Sequence, residues 1–163
     1  MIEVYRLSFE RSAKSGYGAA LHGGRWNLTG QEVIYASATR SLAALEVLAH
    51  NDVLPRNYVA TRIQVPDDIH IAEVAESSLP PGWNDPGPPS AETQKMGSDW
   101  LAAGRTAVLS VPSAIIPKER NFVVNVAHPD FAQITFLVSE PFRFDARLKG
   151  SEQESDELRA NRW

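Results

Sequence analysis

The sequence predicts an α+β fold: a single domain built on a twisted, mostly antiparallel sheet with a few helices. Three observations predict it. Short runs of β-branched and aromatic residues recur along the chain. Two stretches, LAALEVLAH at 42–50 and the run 91–103, carry strong helix formers instead. Prolines and glycines punctuate the intervals between the runs, as turns do between antiparallel strands. A chain of 163 residues and 18.0 kDa fits one domain. Area scaling has it bury about 70% of its unfolded surface, enough for a core without staples.

Ile2–Leu7 (IEVYRL) is read as the opening strand, followed by a polar, glycine-bearing loop from Ser8 to Asn27. Glu32–Ser37 (EVIYAS) is a second strand, and Ser37, Thr39 or Ser41 can cap a helix running to about Asn51. Asn57–Val65 alternates with period two, the pattern of a half-buried strand. Pro66-Asp67-Asp68 turns the chain into a short strand, Ile69–Val74. Residues 79–90 (LPPGWNDPGPPS) are too rich in proline and glycine for regular structure. They are read as a surface loop anchored by Trp83. Ser90 or Ala91 starts a second helix to about Ala103, with Gly104 as its stop. Thr106–Val111, Asn121–Val126, Gln133–Ser139 and Phe142–Asp145 are the remaining strands. The domain is expected to span 1–150, and 151–163 (SEQESDELRANRW) to form a charged tail.

Composition excludes several classes of function. The absence of cysteine removes a disulfide scaffold, a thiolate metal site and a cysteine nucleophile together. His22, His50, His70 and His128 show no metal-ligand spacing, so no metal is expected. No apolar run approaches the roughly 20 residues that cross a bilayer, and the N-terminus lacks a signal-peptide core; a cytoplasmic protein is expected. A net charge of −4 argues against nucleic acid as the main partner. Residues 1–65 nevertheless carry seven Lys/Arg against five Asp/Glu, whereas 66–163 carry nine against fifteen. An anionic ligand would be drawn to the first part.

Within that part, Gly23-Gly24-Arg25-Trp26-Asn27 combines backbone freedom with a fork of N–H donors suited to phosphate or carboxylate. Its plain alternative is a tight turn with a surface arginine and a core tryptophan. Glu46 sits on the helical wheel at the border of an apolar stripe of Leu42, Leu45, Leu48 and Ala49, about 40° from Leu42. A carboxylate there is either ion-paired, with Arg25 or Arg6, or aimed into a cleft to stabilise positive charge or accept a proton. Tyr35 reads as a strand tyrosine with its hydroxyl at the surface. Ser113 lies where a strand ends and has no glycine elbow around it, which disfavours a hydrolase nucleophile.

In order and spacing, a series of motifs resembles one family. They begin with Tyr5-Arg6, Gly24-Arg25-Trp26-Asn27, Val33-Ile34-Tyr35-Ala36-Ser37 and Leu42-Ala43-Ala44-Leu45-Glu46. Gly97 with Trp100-Leu101 follows, then Val111-Pro112-Ser113-Ala114, Asn121, and Asn125 through His128-Pro129-Asp130-Phe131. The chain looks like a RES domain from about residue 3 to Leu148. The arginine, glutamate and serine for which that family is named fall here on Arg25, Glu46 and Ser113.

The resemblance implies the toxin of a bacterial type II toxin–antitoxin pair, with a fold similar to diphtheria-type ADP-ribosyltransferases. It implies NAD⁺ as substrate and an Xre-like helix-turn-helix antitoxin as partner, and it allows a homodimer. In that reading Glu46 stabilises the charge on the ribose as the nicotinamide leaves. Arg25 and Gly24 hold the pyrophosphate, and Arg6 is a second phosphate contact or the partner of Glu46. Tyr35 shapes the nicotinamide pocket, while Ser113 and Asn121 bind near it. Hydrolysis or phosphorolysis of NAD⁺ and transfer of ADP-ribose to a protein both stay open. So does a different class, a nucleotide- or anion-binding module without catalysis. An RNA-cleaving toxin fits the acidic balance least.

Overall fold

Among the described residues, the β-branched runs pair into one curled sheet around which three helices pack. The computed structural model describes residues 1–149, so the tail expected at 151–163 lies outside the described residues. The strands are β1 (Ile2–Phe9), β2 (Val33–Ser37), β3 (Tyr58–Val65), β4 (Ile71–Glu73), β5 (Val108–Pro112), β6 (Arg120–Asn125), β7 (Thr135–Phe136) and β8 (Glu140–Phe142). The helices are α1 (Tyr17–His22), α2 (Arg40–His50) and α3 (Ala91–Ala103). Strand order is β4-β5-β6-β2-β1-β3-β7, with β8 also on β3. Every pairing is antiparallel except β4 with β5, which the chain joins through the proline-rich loop and α3.

The middle strands are covered on both faces. Ile34, Ala36, Phe122, Val124 and Val108 point to one side with Val4, Ile63 and Val65, where the curl of the sheet closes over them. Val33, Val123, Leu109 and Val111 point to the other, under Trp26, Trp83 and the α3 residues Met96 and Trp100. Each fully buried Val, Leu or Ile contributes about 1.5–3 kcal/mol. α3 approaches so closely that a Cβ on Gly97 would lie 1.8 Å from the Trp26 carbonyl oxygen. Its ends match their local signals: Ser90 accepts from the Thr93 amide, and Gly104 follows in the left-handed conformation.

One seam of the sheet is incomplete. β1 pairs with β3 along its whole length, from Ile2↔Val65 to Phe9↔Tyr58. With β2 it registers at Tyr5↔Ser37, and beyond that point the two strands diverge. The sheet therefore splits into two halves that part on the side of Leu7–Phe9 and Val33–Tyr35. α2 lies beside this split, with Ala43, Val47 and Leu48 against Leu7, Ala60 and Phe144.

Four expectations need correcting. The loop expected at 8–27 contains a 3-10 turn at Glu10–Ser12 and α1, whose six residues are too few for a propensity signal. The strand expected at Gln133–Ser139 shrinks to Thr135–Phe136, because Pro129–Gln133 winds into a 3-10 turn capped by His128 Nδ1 on the Asp130 amide. The last strand lies at Glu140–Phe142 rather than Phe142–Asp145, since Asp145 instead caps the turn Ala146–Leu148. The apolar stripe of α2 is also rotated from the expected one. Leu45 and Ala49 are exposed while Leu42 and Ala43 are buried, because alanine at 43 lets the helix sit close over Leu7 and Ala60. That rotation carries Glu46 to the inward side.

Candidate active site

Three strand ends meet beneath α2. The end of β2, the start of β6 and the end of β5 are neighbours in the register Ser37↔Asn121 and Val111↔Asn121. Directly opposed residues share a face of a sheet, so Ser37 and Asn121 present their side chains together, with Ser113 just beyond Val111. Thr39 caps α2 by accepting from the Leu42 amide, which starts the helix immediately after β2 and folds it back over this corner. Glu46 is thereby set above it, and the corner supplies its donors. Ser113 Oγ donates to Glu46 Oε1 at 2.8 Å, and Asn121 Nδ2 donates to the same oxygen. Ser113 Oγ in turn accepts from the amides of Ile115 and Ile116, each at 3.1 Å, and Ser37 Oγ donates to Asn121 Oδ1 at 2.7 Å.

The alternative in which Glu46 is ion-paired with Arg6 or Arg25 is not what the structure contains. Arg6 Nη2 donates to the Ser15 carbonyl at 3.0 Å, and its buried Nε has no partner among the described residues. Burial pulls the Arg6 pKa down from the usual guanidinium range to about 10. Arg25 Nη1 donates to the carbonyl of Trp83. Burial lowers Arg25 as well, partly offset by the negative charges of Glu46 and Asp85.

Glu46, Arg6, Arg25, Gly24, Tyr35 and Asn121 all line one cleft of about 1030 Å³, which opens where β1 and β2 part. Ser113 is fully buried and does not line it; Pro112 and Ala114 do. Its hydroxyl reaches the cleft through Glu46. The Tyr35 hydroxyl is also occupied, donating to Asn27 Oδ1 at 2.7 Å and accepting from the Trp26 amide at 3.1 Å. Burial raises its pKa well above the usual range. A Cβ on Gly24 would fall 2.7 Å from that hydroxyl and 2.8 Å from Asn27 Oδ1. The glycine is thus required by Tyr35 and Asn27, and on that side it leaves no cradle for a ligand. Among the described residues no group of three or more His, Asp or Glu gathers as metal ligands do.

The RES-domain model matches residues 3–145. The chain belongs to the RES family. It is 40% identical over 145 residues to the Prs ADP-ribosylating toxin of Sphingobium sp. strain YBL2, covering 86% of this chain and 89% of that one. It is 38% identical over 152 residues to the toxin Res of Photorhabdus laumondii, covering 89% and 96%. Among solved structures, a chain of the Mycobacterium tuberculosis MbcT–MbcA toxin–antitoxin complex superposes with a TM-score of 0.71. Identity there is 20%, over 86% of this chain and 84% of the other, and the likeness is one of fold.

Two contributors to this RES cleft escaped the sequence reading. Asn27 is completely buried, and its Nδ2 reaches the carbonyls of Ala19, Leu28 and Gln31 at 2.9–3.1 Å, fixing the turn that carries Arg25. The second is the cleft-facing side of the proline-rich loop, which is anchored by a buried Trp83 as read but also forms a rim, adding Asn84, Asp85 and Pro86 to the cleft wall. A buried tryptophan in so irregular a stretch is the one local signal that the loop is tethered.

Proposed function

We propose that this RES protein is a toxin that cleaves the nicotinamide–ribose bond of NAD⁺ in the cleft between β1 and β2. The observation that carries the reading is the Glu46 carboxylate, one oxygen held by Ser113 and Asn121, in a cleft shared with two partly desolvated guanidinium groups. As the C–N bond breaks, its electron pair leaves on the nicotinamide and positive charge develops on the ribose. A fixed carboxylate beside the anomeric carbon stabilises that charge without reorganising. An acceptor oxygen then bonds to the anomeric carbon and gives up its proton. Arg25 and Arg6, both on the wall of this cleft, are suited to the pyrophosphate. Ser113 orients Glu46 from behind, and Tyr35 shapes the wall while locking the turn that carries Arg25.

A second reading has a protein side chain as the acceptor, and the name of the Sphingobium relative favours it. The toxin-named relatives and the toxin–antitoxin complex of like fold support an antitoxin as the partner. We take that partner to be Xre-like and the setting to be cytoplasmic; among the described residues no helix is long and apolar enough to cross a membrane. The test is chromatography of NAD⁺ incubated with purified protein, with and without phosphate, beside Glu46→Gln. Nicotinamide release that disappears in Glu46→Gln is expected. Equal release by both proteins would overturn the assignment. Release only with cell lysate, with label fixed to protein, would select the second reading, and tight binding without release would select a non-catalytic module.

A further inference from the structure

We propose that Ser37 is a positioning residue for this reaction, its hydroxyl fixing the Asn121 amide so that Nδ2 faces Glu46; the inference rests on Glu46 being the charge-stabilising carboxylate. An ionised carboxylate only accepts hydrogen bonds, so the Asn121 atom turned toward it must be the one that bears hydrogen. Oδ1 then faces the opposite way, onto Ser37 Oγ at 2.7 Å. Only a donating hydroxyl satisfies it there. The result is a directional chain in which Ser37 donates to Asn121 and Asn121 donates to Glu46.

The place of Ser37 makes the chain stiff. It is buried, at 4% exposure, and directly opposite Asn121 in the β2–β6 register. Its other neighbour is Tyr5, the last point at which β1 and β2 register before the cleft opens. With an apolar residue at 37, Asn121 Oδ1 would be a buried acceptor without a donor. The amide could then rotate and turn an acceptor toward the carboxylate. Ser113 would still hold Oε1, being pinned by two backbone amides. Glu46 would remain in the cleft but swing about one donor instead of being clamped between two.

The test uses the full chain and two readouts. In Ser37→Ala, nicotinamide release should fall about tenfold in kcat, the worth of one hydrogen bond, while KM for NAD⁺ stays within about twofold. Ser37→Thr, which keeps the hydroxyl, should restore most of the rate. Combining Ser37→Ala with Asn121→Ala should cost no more than Asn121→Ala alone, because Ser37 acts only through Asn121. Multiplying losses would instead mark a merely structural role and overturn the proposal. The second readout needs no turnover: solvent exchange of the Asn121 side-chain amide, followed by NMR, should be slow in the parent and faster in Ser37→Ala. An active parent whose rate and amide exchange are unchanged by Ser37→Ala would overturn it. A parent that releases no nicotinamide, yet shows the exchange difference, would remove the NAD⁺ reading and leave the clamp standing.

Discussion

Replacing Arg6 by methionine should make the protein more stable and a poorer binder of anions. Among the described residues the guanidinium has one anchor, the Ser15 carbonyl, and a buried Nε with no partner. Burial lowers its pKa by between two and three units to about 10, and at neutral pH the group stays charged, held on a cleft wall that solvates a cation poorly. At 1.36 kcal/mol per unit the penalty is about 3 kcal/mol. Methionine occupies much of the same path with no donor to satisfy. It forfeits one charge-assisted hydrogen bond, worth about 2 kcal/mol. The balance is a gain of about 1 kcal/mol, or about 3 °C in melting temperature at this size. A thermal scan of parent and variant, with and without NAD⁺, reads both consequences. The parent should melt lower but gain from the ligand; the variant should melt higher and gain little. A variant that melts several degrees lower, or keeps the full ligand-induced shift, would refute the argument that a poorly solvated cation on the cleft wall is being held for an anion.

Arg25→Ala should weaken NAD⁺ binding at least about tenfold, since charge-assisted bonds to a phosphate are lost; unaltered affinity by calorimetric titration would contradict that role. Gly97→Ala places a methyl group on the Trp26 carbonyl, and the helix must lift away from the sheet. A loss of about 3 kcal/mol or more is expected in urea unfolding, and a loss near zero would mean that α3 tolerates the shift. Asp145 is held down to about 2 by its bonds with Arg147. Its folded value lies below its ordinary 3.8, so the cap on residues 146–148 is present above that value and lost as pH falls through about 2. Arg147→Ala should return the Asp145 titration, followed by NMR, toward 3.8.

The elements legible in the sequence carry their signals locally. Val33–Ser37 is β-branched and aromatic and ends in a hydroxyl cluster; α2 starts at Thr39, one of the three caps proposed; α3 runs between Ser90 and Gly104 as read. What was hidden depends on contacts remote in the chain. The divergence of β1 from β2 exists only in the assembled sheet, where β1 pairs with β3 along its whole length and with β2 at Tyr5↔Ser37. The rotation of α2 follows from Ala43 meeting Leu7 and Ala60, so a helical wheel drawn in isolation put Glu46 at a border rather than facing inward. The residues that the family resemblance picked out do gather at one cleft, except that Ser113 stands behind its wall. Asn27 was quoted only as part of a motif, because its four hydrogen bonds exist only once the turn is closed on Tyr35.

The seam between β1 and β2 gives the molecule a vertex. Two blades of sheet diverge from Tyr5↔Ser37, and a guest lodged between them presses on both. Ser37 is at once the pin of those blades and the first link to the carboxylate. Such a guest rests against the one residue that faces β1 through its backbone and the carboxylate's amide partner through its side chain.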